Sequence, residues 1–136
     1  LTARVDELGI SNQVVFLGLV QYAELPRWYT ASDVLVFSSE HEPYGLPLNE
    51  AMLCGIPVIV SNRIGARLDL VEEGITGWTY PVGNIDVLAN RMEEAIRNPE
   101  QVRLMGIAAQ AKMQHWSSAA NVAAQINFFR KKSWLN

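Results

Sequence analysis

Two uninterrupted apolar runs, Val34-Leu35-Val36-Phe37 and Pro57-Val58-Ile59-Val60, constrain this chain more than any other feature. Runs without polar alternation read as strands buried on both faces, the habit of parallel sheets. Parallel neighbours need a crossover between them, usually a helix. The intervening segment supplies one: Gly45 permits a tight turn, and Pro47 has the fixed φ favoured at a first helical position, which predicts a helix over residues 47–54. Strand, loop, helix and strand make a βαβ unit. In open parallel sheets ligands bind where strand carboxyl ends meet helix amino ends. The loop that occupies this place here reads EPYGLPLNE, from Glu42 to Glu50.

The residues of that loop suit a sugar nucleotide. Free backbone N–H groups and the positive end of a helix dipole near Gly45 and Leu46 match a diphosphate. Glu50, expected in the first helical turn, can accept hydrogen bonds from a vicinal diol such as a ribose, and Glu42 is placed to approach a second polyol. Spacing alone equally allows Glu50 to complement the helix dipole for about 0.3–1 kcal/mol and Glu42 to be solvated.

The rest of the chain reads as further α/β structure. Val5 and Leu8 end an amphipathic helix before Gly9, and residues 14–17 read as a first buried strand broken by Gly18. Residues 22–31 read as a helix, with Pro26 in its first turn and Leu25, Trp28 and Tyr29 on its packed face. A short helix over residues 68–73 stops at Gly74, and a short strand covers residues 78–80. Asn84 caps a helix on which Leu88, Met92, Ala95 and Ile96 recur at helical spacing until Asn98 and Pro99. Another helix covers residues 100–113. A last one, introduced by Trp116 and Ser117, runs to about Lys131 with Val122, Ile126 and Phe129 on one side.

Composition narrows the function classes. At 136 residues the chain is expected to be one domain, residues 1–136, with 49% hydrophobic and 18% charged residues, which disfavours disorder. A formal net charge of -3 with no basic face argues against nucleic-acid binding. The single cysteine, Cys54, forms no internal disulfide, suits a reducing compartment and reads as helix packing. No Gly-x-Gly-x-x-Gly, Walker loop or Asp-x-Asp pair occurs, and His41 and His115 lack ligand-like partners, so no metal or cofactor is expected. His41 reads as a solvated loop residue beside the motif, and Ser38 and Ser39 as polar loop or capping contacts. No apolar stretch is long enough to span a bilayer. Arg130, Lys131 and Lys132 beside Trp134 suit either a helix C-terminus or a peripheral contact with anionic lipid. The expected location is cytoplasmic, with contact at the inner face of a membrane as the second possibility.

The wider window EPYGLPLNEAMLCGIPVIVSN resembles the nucleotide-sugar site of family-four glycosyltransferases, retaining enzymes of the GT-B fold with two glutamates separated by seven residues. Upstream, VVFLGLV and LPRWYTASDVLVFSS resemble the family's strand, glycine loop, helix and next strand. Downstream, VEEGITGWTYPVGN resembles its glycine-punctuated, hairpin-like connection. The fold this implies is a parallel Rossmann-like sheet flanked by helices, part of the C-terminal, donor-binding domain. Glu42 would lie against the donor sugar and stabilise developing positive charge, and Glu50 would hold the ribose. Backbone amides around Tyr44, Gly45 and Leu46 would meet the diphosphate, although Pro47 has no N–H to give. The loop at Gly18, Leu19 and Val20 would lie near the base. Where the family often has paired glycines and then a glutamate, this chain has Gly65, Ala66, Arg67, Leu68 and Asp69, and no donor contact is assigned to that loop.

The resemblance implies transfer of a sugar from a nucleotide diphosphate to an acceptor hydroxyl. The family places its first strand, a basic loop with an arginine and a lysine, and a separate acceptor domain upstream of the region matched here. The chain is therefore expected to lack these and to meet a carbohydrate or lipid-linked acceptor through the absent domain. Two other readings stay open at this level: a non-catalytic nucleotide or phosphosugar binding module, and a structural unit whose glutamates serve only capping.

Overall fold

A computed structural model describes residues 1–116 and 118–132. Its centre is a parallel three-stranded sheet of strands β1 (Leu35–Phe37), β2 (Val58–Ser61) and β3 (Gly77–Tyr80), in the order β1-β2-β3. Leu35 pairs with Val58 and Val58 with Gly77, so the three strands run in register with their carboxyl ends on one crest. β1 and β2 are joined through helix α3 (Leu46–Leu53), and β2 and β3 through the four-residue helix α4 (Arg67–Leu70). Helices α1 (Thr2–Glu7) and α2 (Leu25–Thr30), the latter led by a 3-10 turn at Tyr22–Glu24, precede the sheet. Helices α5 (Ile85–Arg97), α6 (Pro99–Gln114) and α7 (Ser118–Lys131) follow it.

The central strand explains the sheet. Val58, Ile59, Val60 and Ser61 are all fully buried, and their alternation divides the core in two. Val58 and Val60 pack with Leu48 and Met52 of α3 and Ala109 and Met113 of α6. Ile59 packs on the other side with Trp78, Tyr80, Ala95 of α5 and Met105 of α6. Each fully buried aliphatic side chain of this kind stabilises by about 1.5–3 kcal/mol relative to exposure. β1 is only half-buried, because it forms the edge of the sheet. The expected Asn84 cap is present: its side-chain oxygen accepts from the Val87 N–H at 3.1 Å.

Several expectations are corrected. Residues 14–17 form no strand, since a strand needs a ladder partner and no described residue bonds to their backbone; Val15 is 78% exposed. Trp28, Met92 and Ile96, expected to pack, are 41%, 42% and 78% exposed, whereas Leu25, Tyr29, Leu88 and Ala95 are more deeply buried. The helix expected over residues 68–73 ends at Leu70 because the Thr76 hydroxyl takes over, donating to the Leu70 carbonyl at 2.9 Å and accepting from the Glu72 N–H at 2.8 Å. The connection that follows is not a hairpin, for β3 pairs with β2 in parallel. Val122, Ile126 and Phe129 of α7 remain 54%, 37% and 36% exposed instead of forming a buried stripe. Ser117 and Trp134, invoked for the start of that helix and for its membrane contact, lie outside the described residues. No helix among the described residues is long and apolar enough to cross a membrane.

Above the sheet, the loop after β1 is tied to the loop after β2. The Glu42 N–H donates to the Arg63 carbonyl at 3.2 Å, and Gly65 and Ala66 N–H donate to the carbonyls of Glu42 (2.9 Å) and Tyr44 (2.8 Å). This pairing needs glycine at position 65, where a Cβ would sit 1.9 Å from the Pro43 carbonyl oxygen. Gly65→Ala is expected to destabilise the fold by about 1–3 kcal/mol, the usual cost of overpacking. Gly18→Ala meets no atom within 4 Å and pays only for its φ of +64°, about 1–2 kcal/mol. Urea denaturation of both variants checks this, with Gly65→Ala expected to show the lower midpoint and to weaken whatever binds at the loop above it.

Candidate functional site

The crest at the carboxyl ends of the strands gathers most of the residues singled out from sequence. Gly45 caps α3 in the left-handed region, φ 102° and ψ 58°, and is buried so tightly that a Cβ would come 2.7 Å from the Ile64 side chain. Only glycine takes this conformation at such a place without strain. As the helix cap and first helical residue, Gly45 and Leu46 have N–H groups outside the helix ladder, and among the described residues neither donates to a protein acceptor. Pro47 follows within the first turn, where a missing N–H costs nothing. A short chain of two open amides at a positive helix end is a cradle for an anion.

The two glutamates flank this cradle and are both half-buried. Glu42 folds back, and its Oε1 accepts from the Tyr44 N–H at 3.0 Å. This engages one of the three amides expected to meet a diphosphate and leaves the other two open. Because α3 begins at Leu46 and not at Pro47, Glu50 is its fifth residue and lies just past the first turn where it was expected, the turn within which dipole complementation acts. Its Oε2 accepts from the Tyr29 hydroxyl of α2 at 2.9 Å. Burial, then the bond to Glu50 and the charge of that carboxylate, push the Tyr29 phenol far above its usual range, so Tyr29 remains a donor that fixes the Glu50 rotamer. Tyr29 was legible only as a packing residue; a tyrosine at helical spacing gives no hint of a partner 21 residues away.

Tyr44 itself is braced from two sides: Asn49 Nδ2 and Trp116 Nε1 approach its hydroxyl at 3.3 and 3.4 Å. Cys54, at the other end of α3, is partly buried, and burial followed by the Glu50 charge raises its thiol, which fits packing better than reactivity. Gly18, Leu19 and Val20 form an open turn before α2, with Leu19 fully in solvent and no hydrogen bond to the Glu42–Glu50 loop among the described residues. Ser39 and Ser61 act as loop ties, Ser61 Oγ donating to the Ser39 carbonyl at 2.5 Å. Among the described residues no three His, Cys, Asp or Glu side chains gather as a metal-binding group. A mainly apolar groove of about 760 Å³ lies at the opposite, amino end of the strands, lined by Val34, Gly55, Pro57, Ala95, Val102 and Ile107; Cys54 lines it, but neither glutamate, nor Tyr44–Leu46, nor Gly18–Val20 does.

Comparison with known proteins meets this geometry. D-inositol 3-phosphate glycosyltransferase of Mycobacterium sp. strain KMS is 40% identical over 104 residues, covering 76% of this chain and 24% of the relative. The solved structure of HepE from Anabaena in complex with UDP-glucose is similar at 30% identity and a TM-score of 0.80, over 98% of this chain and 35% of that one. Sucrose-phosphate synthase of Thermosynechococcus elongatus is similar at 29% identity and a TM-score of 0.81, over 97% of this chain and 33% of that one. The chain spans about a fifth to a third of the length of the curated relatives it matches. The family model described as glycosyl transferases group 1 matches residues 1–112, a span that takes in all three strands and the βαβ unit bearing Glu42 and Glu50. The expected GT-B-type α/β reading of the fold holds, and the chain belongs to the glycosyl transferases group 1 family.

Proposed function

We propose that this chain forms the nucleotide-sugar site of a glycosyltransferase that moves a sugar from a nucleoside diphosphate to an acceptor hydroxyl with retention of configuration. The observation that carries the reading is the pair of half-buried glutamates on either side of two open amides at the amino end of α3. Family membership supports it, as does the likeness to an enzyme solved with UDP-glucose.

In this reading the Gly45 and Leu46 N–H groups bind a phosphate of the donor and hold the charge that grows on it as the glycosidic bond breaks. Glu50, oriented by Tyr29, accepts from the ribose hydroxyls. Glu42 exchanges its bond to the Tyr44 amide for the donor sugar, stabilises positive charge at the anomeric carbon and frees that amide as a third donor to the diphosphate. Gly18, Leu19 and Val20 lie near the base. The diphosphate is met by amides and by basic residues of the parent enzyme's upstream loop, without a metal ion.

The two glutamates separate by readout. Glu50→Ala is expected to weaken binding of UDP to this chain by about 1.5–3 kcal/mol, the usual worth of hydrogen bonds to a charged group, and Tyr29→Phe by about 0.5–1.5 kcal/mol. Glu42→Ala is expected to leave UDP binding near wild type and to lower turnover in the full-length enzyme, because its contact strengthens in the transition state. Calorimetry and steady-state kinetics give the two measurements. Small, equal effects of both glutamate substitutions would favour capping alone.

Chelation tests the metal-free reading. Turnover of the full-length enzyme is expected to survive EDTA unchanged. Loss in chelator with recovery on magnesium or manganese would overturn it.

A further inference from the structure

Three separate ties meet at Tyr44. Its N–H donates to Glu42 Oε1 at 3.0 Å and its carbonyl accepts from the Ala66 N–H at 2.8 Å, so its backbone links the loops after β1 and β2. The third tie is to its hydroxyl, which accepts from Asn49 Nδ2 of α3 at 3.3 Å and from Trp116 Nε1, 72 residues away, at 3.4 Å. Core packing brings Trp116 there. Helix α6 runs back along α3: Gln110 Nε2 donates to the Leu53 carbonyl at 3.0 Å, Met113 packs with Leu48 and Met52, and the Trp116 N–H donates to the Met113 carbonyl at 3.0 Å. The indole is thus carried by a helix end seated in the core. Asn49 adds an observation that packing does not explain. Its Oδ1 is buried and accepts no hydrogen bond among the described residues. A buried acceptor without a donor is a cost to the fold that an apolar side chain of similar size avoids, and local costs of this kind gather at functional sites.

We propose that Trp116 and Asn49 are positioning residues for sugar transfer, holding Tyr44 so that its amide keeps its direction when Glu42 releases it. The inference rests on the donor reading, in which the Tyr44 N–H becomes a third donor to the diphosphate once Glu42 turns to the sugar. At that moment Tyr44 loses one of its ties. The carbonyl bond from Ala66 and the braced side chain are what remain to aim the amide. An amide already aimed does not have to be ordered as charge develops beside it. Glu42 keeps the Tyr44 amide while UDP alone is bound, so the brace acts on transfer and not on UDP affinity. Through α6 the segment that follows it in the chain therefore reaches the reacting end of the donor without touching it.

Turnover of the full-length enzyme, together with UDP calorimetry and urea denaturation of this chain, separates positioning from mere support. Trp116→Phe keeps an aromatic ring and removes the indole N–H; Asn49→Leu removes both the donor and the unpaired oxygen. Each is expected to lower kcat and kcat/KM together by about two- to tenfold, the usual net contribution of one neutral hydrogen bond, with UDP affinity unchanged. Asn49→Leu is expected to leave the urea midpoint at or above that of the unmodified chain, which a residue kept for stability would not do. Tyr44→Phe is expected to lower kcat at least as much. Adding Trp116→Phe to it is expected to lower kcat no further, because the shared acceptor is gone. Unchanged kcat in Trp116→Phe and Asn49→Leu, full additivity with Tyr44→Phe, or a loss of UDP affinity equal to the loss of kcat would overturn the proposal. UDP binding by the unmodified chain in those cases leaves the donor reading standing, and its absence removes that reading and the brace with it.

Discussion

Contact between the Pro43 carbonyl and the face of Gly65 governs the architecture of the crest. The loop after β1 can lie against the loop after β2 only because residue 65 has no side chain; three backbone hydrogen bonds then form on either side of that contact. The pairing extends the parallel ladder of β1 and β2 past the ends of the strands, to Glu42 and Ile64. It fixes the height and direction of residues 42–45, and hence where α3 begins. Gly45 is locked in turn against Ile64, whose side chain is buried in the core beneath. Sheet, loop and helix amino end are therefore packed and bonded to one another. Preorganised donors of this kind do not have to be ordered again when charge develops beside them.

The electrostatics of the crest follow from this rigid frame. Glu42 satisfies itself on the Tyr44 amide, two residues along its own loop. That bond keeps a half-buried carboxylate from being left unpaired, which would cost far more than an exposed one. In the proposed reading it also makes donor binding an exchange of partners. Glu50 is held from another element, by the Tyr29 phenol of α2, so the segment before the sheet contributes to the site through a helix. An orienting donor behind a ligand-facing carboxylate limits the rotamers lost on binding.

Sequence made the centre of the molecule legible and its margins less so. The strands β1 and β2, α3, the Gly45 turn and the Asn84 cap each follow from a local signal: an apolar run, a proline at a helix start, a side chain suited to an amino-end cap. The same apolar signal misled at residues 14–17, because hydrophobicity shows that a segment can be a strand but not that a ladder partner exists for it. Helical spacing named Leu88 and Ala95 correctly and Met92 and Ile96 wrongly, since the width of a helix's buried stripe depends on what covers it. Glu42 and Glu50 were singled out by spacing and resemblance. Tyr29, the Glu42–Tyr44 bond and the Gly65 contact were not, for each joins residues whose proximity is decided by tertiary packing or by a side-chain rotamer.

The central claim is that the amino end of α3 is a diphosphate site between two glutamates, and an amide chemical-shift map of this chain with UDP tests it most directly. The account predicts the largest shifts at the Gly45 and Leu46 N–H groups, with the Tyr44 N–H, held by Glu42, moving only when UDP-glucose replaces UDP. Smaller shifts are expected at Gly18–Val20, and the shifts at the Gly45 and Leu46 amides should shrink when uridine replaces UDP. Shifts confined to the apolar groove between α5 and α6, or equal shifts with uridine and UDP at the α3 amides, would contradict it.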